Sequence, residues 1–136
     1  MILTDASSLV ALFDKKDRDH DACVRQAELL SAPMLTTWPA FTEAMYLLGN
    51  AEPPWKGQAI LWNLVTRGDL KIAQASYQET RRMAALMKQY QDVPMDLADA
   101  SLVALAEARS LSRIFTLDRH FKAYRFFNRK ALEVVP

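Results

Sequence analysis

Apolar positions along the chain change period several times, and the changes mark out two kinds of segment. Short runs rich in apolar and β-branched residues, Ile2–Thr4, Met34–Thr36, Leu70–Ala73 and Arg113–Thr116, predict strands, with Leu132–Val135 as a last one. Between them, apolar residues at helical spacing predict helices over Ser7–Phe13, His20–Leu30, Pro39–Gly49, Trp55–Arg67, Glu79–Gln89 and Leu97–Ser110. Boundary signals agree with this division. Ser76-Tyr77-Gln78-Glu79 matches a capping box, Gly49 and Gly68 follow apolar-periodic runs, and Pro53-Pro54 breaks the chain between two helices. Alternating strands and helices require crossover connections. The predicted fold is therefore a three-layer α/β/α sandwich around a mainly parallel sheet. No repeat, low-complexity tract or linker interrupts the pattern, so residues 1–136 read as one domain.

In parallel sheets, ligands bind beyond the carboxyl ends of the strands. Acids fall there from well-separated parts of the sequence. Asp5 follows the first strand, Asp118 follows Arg113–Thr116, Asp96 and Asp99 open the helix leading into that strand, and Glu43 lies just beyond Met34–Thr36. Taken singly, Asp5, Asp96 and Asp118 each also read as helix N-caps, and Asp99 as the third residue of a capping arrangement. Glu43 is different. Its helix is apolar nearly all round, which predicts burial, and no basic residue occurs between Arg25 and Lys56 to pair with it.

Composition narrows the field. The chain is 51% hydrophobic and 24% charged, as expected of a globular protein with a real core. Net charge is +1, so the total points to no partner, but seven basic residues and a single acid, Asp118, fall between Arg109 and Lys130. Such a cluster suits phosphates, and equally a solvated surface. The single cysteine, Cys23, excludes an internal disulfide and a cysteine-rich zinc site and reads as a small core residue. The start, M-I-L-T-D, does not read as a signal peptide, and no apolar run approaches membrane-spanning length, so the expected location is cytoplasmic.

Carboxylates gathered on one edge repel one another, and a divalent cation removes the conflict. An all-oxygen ligand set suits Mg²⁺ or Mn²⁺ rather than zinc. Such ions polarise phosphoryl oxygens and activate water, so phosphodiester hydrolysis is the natural chemistry.

Four segments carry a family resemblance: D-A-S-S-L-V-A-L-F-D at Asp5–Asp14, T-E-A-M at Thr42–Met45, D-L-A-D-A-S-L-V-A-L-A at Asp96–Ala106 and T-L-D-R-H-F at Thr116–Phe121. Together and in this order they resemble the PIN domain, and within it the VapC-type toxin ribonucleases. The resemblance implies that Asp5, Glu43, Asp99 and Asp118 form an acidic metal site, with Asp5 and Asp99 the most direct ligands. Asp96 matches an additional acid, which we expect chiefly to cap its helix. Ser7 and Thr116 match supporting hydroxyl residues. The family further implies Mg²⁺- or Mn²⁺-dependent endoribonuclease activity on RNA, frequent homodimers and a cognate antitoxin that blocks the site. Arg119, Lys122 and Arg125 are candidates for holding the RNA backbone. The segment Glu52–Gln91 carries no family motif.

Other chemistries fit less well. Neither GxxxxGK[ST] nor GxGxxG is present, and there is no GxSxG elbow for a serine hydrolase. A phosphoacceptor receiver domain needs a lysine after a late strand, where this chain has Leu-Asp-Arg after Thr116. The alternative from another class is a non-catalytic metal- or RNA-binding module on the same fold, because intact ligands do not by themselves imply turnover.

Overall fold

Side chains along the first strand point alternately to two different cores. In the computed structural model, which describes residues 1–136, Ile2 packs into a cluster with Ala11, Leu12, Cys23 and Phe115. Its neighbour Leu3 joins the opposite and largest cluster, with Leu35, Leu102, Val103 and Ile114. This period-two alternation on strands covered from both sides builds a three-layer sandwich.

The elements run β1 (Ile2–Thr4), α1 (Ala6–Phe13), α2 (His20–Leu29), β2 (Met34–Thr37), α3 (Trp38–Leu48), α4 (Pro54–Arg67), β3 (Leu70–Ala73), α5 (Tyr77–Gln89), α6 (Leu97–Arg109) and β4 (Arg113–Phe115). A short 3-10 helix (Arg119–Lys122), β5 (Arg125–Phe126), β6 (Lys130–Ala131) and β7 (Glu133–Val135) complete the chain. Five strands form one sheet in the order β3-β2-β1-β4-β7, and every pairing in it is parallel. From β1 the chain goes first to one side, through β2 and β3, and then to the other, through β4 and β7. The direction changes between β1 and β4.

Every predicted helix and strand is present, with ends displaced by no more than two residues. Cys23 is fully buried, as its apolar setting predicts. Ser76 and Glu79 form the expected capping box, and Gly68 ends α4 in the left-handed region at φ 84°. The hairpin of β5 and β6 was not predicted: with two residues per strand it is too short to show a period. Its turn places Phe127 and Asn128 at φ 53° and 59°.

Side-chain contacts fasten this hairpin to the helices. Glu107 of α6 accepts from Arg82 of α5 at 2.9 and 3.0 Å, and from the Phe127 backbone N–H at 2.8 Å. Arg82 also donates to the Asn128 side-chain oxygen at 2.8 Å. The hairpin begins directly after Tyr124, so the clamp fixes a segment that reaches the acidic edge. We expect Glu107→Ala to lower stability by about 2 kcal/mol, because it leaves a half-buried guanidinium and a backbone donor without their acceptor. Urea unfolding checks this; a loss below about 0.5 kcal/mol would mark the pair as an ordinary surface ion pair.

Candidate active site

Strand register makes the first contact of the site. Thr4 of β1 lies beside Phe115 of β4, so the next residue on each strand, Asp5 and Thr116, must leave the sheet together. The Asp5 N–H donates to the Phe115 carbonyl at 3.0 Å, the last rung of this ladder. Beyond it α1 begins at once. Ser8 in its first turn donates to the same Phe115 carbonyl at 2.7 Å, fastening the helix start to β4.

Asp5 precedes α1 in the N-cap position, yet its side chain makes no capping hydrogen bond. Its carboxylate is turned into the site instead. Oδ2 accepts from Thr116 Oγ1 at 2.9 Å and from Ser7 Oγ at 3.0 Å. Each hydroxyl has one proton, and both are directed to the carboxylate. Each hydroxyl oxygen then accepts from the main chain, Ser7 from Leu117 N–H and Thr116 from Asp118 N–H, both at 3.0 Å. The 3.2 Å approach between the two hydroxyls follows from their sharing one acceptor. Two small polar side chains thus tie Asp5 to the turn that carries Asp118.

The second acid comes from the helix packed over this edge. α6 starts with a reciprocal capping box: Asp96 Oδ1 accepts from Asp99 N–H at 2.8 Å, and Asp99 Oδ2 from Asp96 N–H at 3.4 Å. Asp96 therefore caps the helix, as expected. Asp99 does more, because the same Oδ2 accepts from the Tyr124 hydroxyl at 2.9 Å. That tyrosine is fully buried and packs edge-on against Phe121 and Tyr90. No sequence signal singled it out; it is an uncharged residue within a basic run, and only the fold brings it under α6.

α3 is positioned by a hydroxyl chain. Ser101 Oγ donates to the Ala98 carbonyl at 2.7 Å, so Thr37 Oγ1 must be the donor in the 2.6 Å contact between the two side chains. Thr37 also caps α3 by accepting from Ala40 N–H. The N-termini of α3 and α6 are thereby joined, and Glu43 lies one turn into α3. Glu43 is exposed rather than buried, which corrects the expectation from its apolar helix. The buried stripe of α3 is Ala40, Phe41, Ala44 and Leu48, while Tyr46 is 72% exposed and Leu47 41%. The apolar residues on the other face are simply on the surface.

Electrostatics show that these acids share one region. Burial pushes the Asp5 carboxyl up, against the Thr116 hydroxyl, the nearby Ala6 N–H and the Ser7 hydroxyl, and Asp118 adds to the rise. Asp99 is raised to about 7, chiefly by burial; the donated Tyr124 hydroxyl opposes the rise, and repulsion from Asp96, Asp5 and Asp118 adds to it. Glu43 is raised by partial desolvation, then by Asp5, Asp96 and Asp118. Asp118 caps the 3-10 helix by accepting from His120 N–H at 2.9 Å. All five acids named from the sequence therefore lie near enough to one another at this sheet edge to interact electrostatically.

The basic candidates separate. Arg119 and Lys122 line a recess next to Asp118. Arg125 turns back on the main chain, donating to the Lys122 and Tyr124 carbonyls at 2.7 and 2.9 Å, and does not reach that recess.

No group of three or more acidic, histidine or cysteine side chains is arranged to enclose an ion. The donor set nevertheless fits a hard cation. Asp5 and Asp99 each commit Oδ2 to hydroxyl donors, and neither Oδ1 receives a hydrogen bond. Magnesium commonly takes one or two carboxylates and keeps several waters, so two free oxygens on buried acids suffice for attachment.

Comparison with known proteins identifies the family. The family model of the PIN domain matches residues 2–127. The chain belongs to the PIN domain family. A Mycobacterium tuberculosis protein named Ribonuclease VapC26 is 32% identical over 137 residues, covering 99% of this PIN chain and all of the relative. Among solved structures, M. tuberculosis VapC20, described as a Sarcin-Ricin loop cleaving toxin, superposes with a TM-score of 0.86 at 16% identity over the full length of both chains. VapBC2 from Rickettsia felis, bound to a DNA fragment from its promoter, superposes at 0.72 and 19% identity, again over all of both chains. At these identities the two structures establish the α/β/α PIN fold.

The raised Asp99 pKa has a sign that can be tested. A carboxyl whose folded pKa exceeds its unfolded value stabilises the fold below about pH 4, and that contribution is lost as the pH rises through the folded value. Asp5 and Glu43 shift in the same direction. In EDTA, the melting temperature of this PIN domain should therefore carry a component that falls between about pH 4 and pH 7. Asp99→Asn should flatten it. Equal slopes for parent and variant would overturn this account of the site's electrostatics.

Proposed function

We propose that this chain is a metal-dependent endoribonuclease that hydrolyses RNA phosphodiester bonds, acting as the toxin of a VapBC-type pair. The observation that carries the reading is the pair Asp5 and Asp99. Each is buried, each is oriented through Oδ2 by a neighbouring hydroxyl, and each keeps Oδ1 open. The relative named as a ribonuclease spans the whole chain and supports the same chemistry.

In this reading Asp5 and Asp99 hold Mg²⁺ or Mn²⁺ most directly, Glu43 and Asp118 complete the acidic catalytic set, and Asp96 adds negative potential. The bound ion supplies a Lewis acid for the phosphoryl oxygen and lowers the pKa of a water. Everything else is done by the protein. Ser7 and Thr116 hold the Asp5 carboxylate against the sheet, and the Tyr124 hydroxyl holds Asp99. Burial keeps both acids from relaxing into solvent, so their repulsion is relieved by a cation or by a proton. An antitoxin protein, a homodimeric assembly and a cytoplasmic location belong to the same proposal. The Rickettsia VapBC2 structure supports the first by likeness of fold. No helix is long and apolar enough to cross a membrane.

Single-turnover cleavage of RNA tests this. Activity should vanish in EDTA and return with Mg²⁺ or Mn²⁺, and Asp5→Asn or Asp99→Asn should abolish it while keeping the fold. Thr116→Val should lower metal affinity or activity by about 10–100-fold, because it frees the Asp5 carboxylate. Full cleavage by both Asn variants would expose a contaminating nuclease, and RNA binding without any cleavage by the parent would leave a non-catalytic module.

The two acids of α6 are separable by substitution. Asp96→Ser keeps a capping oxygen and should retain stability and measurable activity, while Asp96→Ala should lose about 1 kcal/mol. Melting curves and cleavage rates decide; an Asp96→Ser variant as inactive as Asp99→Ala would place Asp96 among the metal ligands.

A further inference from the structure

Beside Asp118, three cations border a polar recess of about 240 Å³ that also takes in the carboxylates of Asp19 and Asp118. Its walls include Arg18, Asp19, Thr116, Asp118, Arg119 and Lys122. Arg119 and Lys122 lie at the two ends of the 3-10 helix, and no carboxylate lies within ion-pair distance of either. Arg18 comes from the loop between α1 and α2, about a hundred residues away in sequence. That loop is braced by its own acids: Asp14 accepts from Lys16 N–H at 3.0 Å and Asp17 from Asp19 N–H at 2.8 Å. Arg18 forms an ion pair with its neighbour Asp19, at 3.5 Å, and its side chain is 93% exposed. Such a pair at the surface holds the guanidinium weakly.

Among the side chains lining the recess, three cations outnumber the two carboxylates of Asp19 and Asp118, and an anion offsets the excess positive charge. Two of the three cations, Arg18 and Arg119, are guanidinium groups whose forked donors match phosphate oxygens, and the third, the Lys122 ammonium, shares a short helix with Arg119. Thr116 links the recess to the acids. It lines the recess, and its hydroxyl is the one donated to Asp5. An anion held here therefore lies at the Asp118 end of the carboxylate site.

We propose that Arg18, Arg119 and Lys122 form a single-phosphate subsite that grips the RNA backbone at a phosphate adjacent to the scissile one, on the Asp118 side of the site. The inference rests on the ribonuclease reading and specifies how that substrate is seated. It also replaces Arg125, whose guanidinium is spent on main-chain carbonyls, by Arg18, which no local sequence pattern connects with the basic segment.

Salt dependence of binding provides the test, because each phosphate contact to single-stranded nucleic acid contributes about 0.7 to the slope of log K against log salt. Short single-stranded RNA is titrated with the full chain carrying Asp99→Asn, so that the strand stays intact. The triple variant Arg18→Ala, Arg119→Ala, Lys122→Ala should reduce the slope by about 0.7, since its three cations share one phosphate. A reduction of about 2 would mean three separate contacts and would overturn the single subsite, as would no reduction. Replacing the RNA phosphates one at a time by neutral methylphosphonate should reveal one position beside the cleaved bond at which the parent loses this increment and the triple variant loses nothing more. Arg109→Ala, at the far end of α6, should leave the slope unaltered. If inorganic phosphate binds tightly to the parent and not to the triple variant while the RNA slopes coincide, the recess holds a free anion and the RNA assignment falls. A parent that neither binds nor cleaves RNA defeats the ribonuclease reading itself; a parent that does both, with an unchanged slope in the triple variant, defeats only the subsite.

Discussion

The repulsion among carboxylates at one edge of the sheet is the constraint around which the rest of this molecule is arranged. Asp5, Asp99, Glu43, Asp96 and Asp118 lie close enough for their charges to be felt by one another, and Asp5 and Asp99 are buried as well. Both conditions favour the protonated acid in the metal-free protein. The fold must therefore hold these groups where electrostatics alone would not leave them. It does so from three directions: the ladder between β1 and β4, the capped start of α6, and the buried Tyr124 that is locked in place with the hairpin behind it.

Hydroxyl groups make this possible because each can donate to a carboxylate while accepting from the main chain. Ser7 and Thr116 do both at once, so the position of Asp5 and the path of the Leu117–Asp118 turn are fixed by the same two side chains. Thr37 and Ser101 use the same dual capacity to join the starts of α3 and α6, without touching a carboxylate. A charged donor in place of Ser7 or Thr116 would neutralise the acid it oriented. A neutral hydroxyl orients it and leaves its charge available to a cation.

Much of this was readable from the sequence, because the elements that place the acids are strongly patterned. Strand-then-acid at Asp5 and Asp118, and the acid pair opening the apolar helix α6, needed only the period of the flanking residues. What escaped was whatever depends on contacts between distant segments. Tyr124 is joined to Asp99 through the docking of the C-terminal hairpin, and Arg18 reaches the recess through the α1–α2 loop. Glu43 was misjudged for a related reason. Apolar content predicts burial only if every apolar side chain finds a partner, and Tyr46 and Leu47 on α3 face outward within this chain.

The question of whether Asp99 is merely part of a helix cap can be decided within the chain, which contains two capping boxes. At α5 the third residue is Glu79, and its carboxylate reaches the Ser76 N–H at 2.9 Å. At α6 the third residue is aspartate, one methylene shorter, and the corresponding bond to the Asp96 N–H is stretched to 3.4 Å. The same oxygen makes its short contact, 2.9 Å, with Tyr124 instead. Glutamate would serve the helix better at that position, and would add no charge. An aspartate that caps poorly, is buried beside other acids and is held by a tyrosine is shaped by the demands of the edge it faces rather than by those of the helix it begins.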